Sequence, residues 1–99
     1  MNKQEIQAYV VKRIGELGNE LSELVDKARG TRAQCEELTS LHKMVTSQEK
    51  HDKEEADKIL QQIQSCFDEN QKAVALYNEK SAVIQELKKL LESEGGEEE

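Results

Sequence analysis

The chain has 99 residues, no proline or tryptophan, one phenylalanine, and equal shares of charged and hydrophobic residues at 35% each. Leu, Ile, Val and Phe number only 22, close to the roughly 20% below which a highly charged chain stays disordered, so there is little core to spare for a deep ligand pocket. The net charge of −7 lies wholly in the second half, since residues 1–50 carry eight basic and eight acidic side chains and residues 51–99 carry six and thirteen; such a surface repels phosphate backbones and anionic lipid and argues against nucleic acid and membranes as direct partners.

Residues Met1 to Glu5 lack the basic-then-apolar profile of a secretory signal, and no apolar run approaches the ~18 residues of a membrane span, so a cytoplasmic location is expected. From Val10 onward, apolar residues recur at alternating steps of four and three through Ile14, Leu17, Leu21, Leu24 and Ala28 to Thr31, Cys35, Leu38, His42 and Val45. This is a heptad repeat, which predicts a first helix over residues 3–47 packed along a narrow seam. Gly15 and Gly18 interrupt it at about 1 kcal/mol each, so fraying or a kink is expected up to Gly18, where the missing side chain would also allow close helix approach.

Glu49 and Asp52 then put two acidic residues on consecutive seam positions. Burying unpaired carboxylates is costly, so the chain is expected to reverse over residues 48–52. Asp52 with Glu55 supplies the N-cap pattern of a second helix at 53–93, and Thr46 with Glu49 offers an alternative box. The heptad phase resumes at Ala56 and Ile59 and continues through Ile63, Cys66, Asn70, Ala73, Tyr77, Lys80, Ile84, Leu87 and Leu91. Residues 94–99 read as a disordered acidic tail.

The expected fold class is therefore all-α, an antiparallel helical hairpin of coiled-coil type that dimerises into a four-helix bundle. If the chain folds back about residues 50 and 51, facing seam positions sum to about 101. That register places Leu17 opposite Ile84, Ala28 opposite Ala73, Thr31 opposite Asn70 and Cys35 opposite Cys66; Leu21 opposite Lys80 is the clear mismatch, and a register one helical turn away stays open. Two other architectures fit part of the pattern. One is a three-helix bundle with a break at Gly30, where Lys27 and Arg29 precede the glycine and Thr31 with Gln34 could cap a new helix. The other is one unbroken helix in a parallel dimer.

With Ile14 as a and Val10 as d, the e positions include Val11, Val25, Leu60, Phe67 and Val74, and the g positions include Leu41, Leu76, Val83 and Leu90. These positions are usually charged in a two-stranded pair, so the apolar stripe is too wide for one neighbour and marks an interface. The expected interface residues are Val25, Leu41, Leu60, Phe67, Val74, Leu76, Val83 and Leu90, met by a second copy or by a partner protein. Asn70 and Thr31 are the residues expected to set the register.

No residues suggest chemistry. Cys35 and Cys66 have neither a disulfide scaffold nor CxxC spacing and read as reduced thiols, His42 lacks companion ligands, and His51 with Glu55 lacks the HExxH pattern. No nucleophile is set beside a histidine and no phosphate-cradling glycine loop follows a strand, so no catalytic residue, cofactor, metal or small-molecule substrate is expected. In format the chain is similar to short helical chaperones and adaptors such as tubulin-binding cofactor A and bacterial secretion chaperones, a likeness of architecture rather than of motif. The expected function is a non-enzymatic adaptor or chaperone-like subunit that offers an apolar stripe to partner helices. The alternative is a small acidic inhibitor, of phage type for example, that covers a basic nucleic-acid-binding surface with carboxylates.

Overall fold

In a computed structural model describing residues 2–96, the chain forms two helices, α1 (Lys3–Thr46) and α2 (Lys53–Gly96), packed as a hairpin. The backbone of residues 94–96 continues α2, and residues 97–99 of the expected tail lie outside the described residues. Each helix has 44 residues, or about 66 Å at 1.5 Å per residue, so both run nearly the whole length of a rod measuring 75 × 16 × 14 Å. Its radius of gyration is 21.9 Å, against about 13 Å for a compact domain of this length.

Local chemistry sets the helix ends. Asn2, in extended conformation, accepts the Glu5 amide at 2.8 Å and caps α1. At the other end Ser47 donates its amide to the Lys43 carbonyl at 3.0 Å and its hydroxyl to the Met44 carbonyl at 2.9 Å. Asp52 accepts the Glu54 amide on its carboxylate at 2.9 Å, and its carbonyl accepts the Ala56 amide, so it starts α2. Thr46 does not act as the alternative cap. Its hydroxyl donates back to the His42 carbonyl at 2.8 Å, inside the last turn of α1.

The reversal at residues 47–52 rules out the single unbroken helix, and the three-helix alternative fails at Gly30. A glycine stop needs a left-handed residue, yet no described glycine has positive φ and α1 continues through Gly30. Thr31, the would-be cap, is buried, and its hydroxyl lies 3.1 Å from the Lys27 and Ala28 carbonyls of its own helix. α1 is likewise unbroken across Gly15 and Gly18. Gly18 does not serve close helix approach within the hairpin, because a Cβ added there would meet nothing within 4 Å.

The heptad seam is the core. Val10, Leu17, Ala56, Ile59, Ala73 and Ile84 are buried, all at a or d. Every seam position from Val10 to Val45 and from Ala56 to Leu91 is buried or half-buried except Tyr77. Among the described residues no large side chain is enclosed on all sides, which is what two helices without a further layer can achieve.

Candidate interaction surfaces

The two seams meet in the expected register. Asn70 donates from Nδ2 to the Thr31 hydroxyl at 2.9 Å and to the Ala28 carbonyl at 2.8 Å. Lys80 reaches Glu20 at 3.2 Å, and the Cys66 thiol donates to Gln34 Oε1 at 3.8 Å. All these cross-helix pairs sum to between 98 and 101, so the offset is constant along the rod to within one turn. A one-turn slip would strand the Asn70 amide against an apolar layer, at a cost of about 1–3 kcal/mol for an unsatisfied buried group. Among the described residues no buried side-chain nitrogen or oxygen lacks a partner.

The Leu21 and Lys80 mismatch is resolved sideways. Lys80 lies half-buried along the seam and places its ammonium on Glu20, one position outside it. The aliphatic stem covers apolar surface while the charge stays at the edge. One step along from the polar layer, partial burial of the Cys35 thiol, then the neighbouring Cys66 and Glu36, push its pKa up from the ordinary 9.0. A raised thiol pKa lowers the thiolate fraction at neutral pH, the opposite of an activated cysteine.

In an antiparallel pair the e positions of both helices flank one side of the seam and the g positions flank the other. The expected interface residues therefore divide between two opposite faces. On the e face, Leu60, Phe67 and Val74 are exposed, Phe67 at 56%, beside a half-buried Val25. A groove opens here, floored by Ala28 and Ala73, walled by Val25 and Val74, and edged by Arg29 and Arg32. On the g face, Leu76, Val83 and Leu90 are exposed along α2, and Leu41 stands near the turn on α1. The groove on that side is more polar, lined by Gln34, Glu37, Lys58 and Gln62 as well as Leu41.

Sequence reasoning passed over Tyr9 and Met44, which are 60% and 66% exposed. Both are c residues, next to g, and an apolar residue at c beside a g-face stripe was the available signal. Tyr77 keeps the seam phase yet remains exposed. His42 is half-buried in the seam, and His51 lies in the turn with Nδ1 3.2 Å from the Gln48 carbonyl oxygen. Among the described residues, no group of three or more His, Cys, Asp or Glu could hold a metal ion, and no helix is long and apolar enough to cross a membrane.

Comparison with family models, curated proteins and solved structures finds no match to this chain.

Proposed function

We propose that the chain is a non-enzymatic protein-interaction module, an adaptor or chaperone-like subunit that binds partner helices through its exposed apolar faces. The observation that carries this reading is that the seam between α1 and α2 is already complete while Leu41, Leu60, Phe67, Val74, Leu76, Val83 and Leu90 stay exposed beside it. Exposed apolar residues clustered along a face in this way mark a protein interface. The paired polar layer supports the same reading, because it fixes the two helices in one register and so presents the faces as a rigid unit.

In this reading the partner is a protein, with no direct nucleic acid, membrane or small-molecule ligand, and no catalytic step. The test is retention of proteins on the immobilised chain at about 50 and 500 mM salt, with a Leu76→Glu, Val83→Glu variant in parallel. Apolar docking survives the salt and fails in the variant. Retention that collapses with salt and ignores the variant supports instead the acidic inhibitor, whose contacts are screened as the Debye length shrinks severalfold.

A further inference from the structure

The e face differs from the rest of the surface in charge. On α2, the e and b positions from Leu60 to Gln85 hold only Leu, Phe, Val, Ser, Asn and Gln, in a chain that is 35% charged. On α1 the same positions are Gly, Gly, Ser and Val from Gly15 to Val25, and then Arg29, Arg32 and Glu36 toward the turn. On α2 this face carries no charge over about seven helical turns, whereas the α2 residues flanking the g face include Glu69, Lys72, Glu79 and Glu86.

We propose that a second copy of this chain packs on the e face with both turns at the same end, α1 of each hairpin lying over α2 of the other in a four-helix bundle. The inference deepens the interaction-module reading by assigning the e face to self-association and leaving the g face for a different protein. The area suffices. The chain exposes 7649 Å², against about 5,700 Å² for a compact monomer of its mass. The face from Val11 to Lys43 is about 50 Å long and 16 Å wide, about 800 Å² per copy, which is the standard size of a specific interface.

Symmetry then fixes the register. A two-fold axis along the rod permits no axial offset, so an α1 residue stands opposite the partner residue that completes a sum near 101, as it does within the hairpin. Val25 meets Val74 of the partner subunit, and Arg32 comes over the ring of the partner's Phe67. Lys43 comes opposite the partner's Asp57, twice by symmetry. Gly15 and Gly18, for which the hairpin has no packing use, come opposite the partner's Gln85 and Ser81, where a missing side chain lets the helices close. Charge selects this orientation over the alternative with turns at opposite ends. Centred on the uncharged stripe, that alternative stacks α1 on the partner's α1 and brings the two Arg29 side chains together.

The purified full chain tests this without any other protein. Sedimentation equilibrium across about 1–100 µM gives a dimer for wild type and for Val83→Glu, and a dissociation constant raised at least about 30-fold for Phe67→Glu. Because a separated hairpin can lose helix, charge variants provide the second readout. Lys43→Glu or Asp57→Lys alone weakens the dimer roughly 2- to 10-fold, and the two together restore it. Orientation is read from spin labels at Ser47→Cys in a Cys35→Ala, Cys66→Ala chain. Turns at the same end give a separation under about 30 Å, set by helix spacings of 8–10 Å, whereas opposite ends give most of the 75 Å length. A wild-type monomer at 100 µM, a dimer lost with Val83→Glu but kept with Phe67→Glu, or a long label separation each overturns the proposal. None of these bears on retention of a different protein through the g face, so the failure of the self-association proposal and of the functional reading are separable.

Discussion

Replacing Gly30 with alanine separates the hairpin from the three-helix bundle by the sign of one number. Gly30 lies inside a continuous helix, has no positive φ, and leaves open space where a Cβ would be added. Alanine there gains the full helix-propensity difference, about 0.8–1.0 kcal/mol, with no steric cost to subtract. For a chain of this size the gain corresponds to a Tm rise of roughly 4–8 °C. Were Gly30 the left-handed residue that ends a helix, alanine would instead cost about 1–2 kcal/mol and lower Tm by a similar amount. The two outcomes differ by at least about 8 °C, well outside the error of thermal unfolding followed by circular dichroism. Chain concentration must be held fixed, because association raises apparent stability by mass action. Gly30 is preferred to Gly15 and Gly18 because its c position lies off the e face. A fall in Tm for Gly30→Ala, with helicity retained at low temperature, refutes the continuous α1.

Other measurements probe the seam. A double-mutant cycle on Thr31→Val and Asn70→Ala should give a coupling of about 1 kcal/mol from the 2.9 Å bond between them, and a coupling near zero means the bond does not form in solution. Asn70→Leu should raise stability while broadening the oligomer distribution, since Thr31 keeps its bonds to its own helix; an unchanged distribution counts against a register role for Asn70. Lys80→Leu should stabilise by about 1 kcal/mol, because covering apolar surface opposite Leu21 outweighs an ion pair at the seam edge; a loss in urea unfolding would show that the Glu20 pair matters more. Because burial penalises the Cys35 thiolate, this group leaves stability unchanged well below 9.0 and lowers it as pH rises from 9.0 through the higher folded value. Alkylation of Cys35 at pH 8 should be slower in the folded chain than in urea, and faster alkylation would contradict the assignment.

Much of this fold was legible because its information is periodic. Val10, Leu17, Ala56 and Ile84 repeat every 3.5 residues, and a seam of that kind defines two helices and their facing sides before any coordinates exist. The register was legible to within a helical turn for a second reason: folding the chain back at residues 50 and 51 brings polar Asn70 opposite polar Thr31. The acidic pair Glu49 and Asp52 marked the reversal, since no seam could bury both.

The tertiary structure decided what depends on conformation or on neighbours remote in sequence. Whether Gly30 ends a helix turns on the sign of its φ, and glycine allows both signs at nearly equal cost. Whether Lys80 is a defect turns on Glu20, sixty residues away in sequence and visible only once the helices are side by side. The wide apolar stripe read along the chain as one feature. Pairing the helices antiparallel splits it into an e face and a g face on opposite sides of the rod, because each helix leaves only its flanks uncovered when its seam meets a single neighbour.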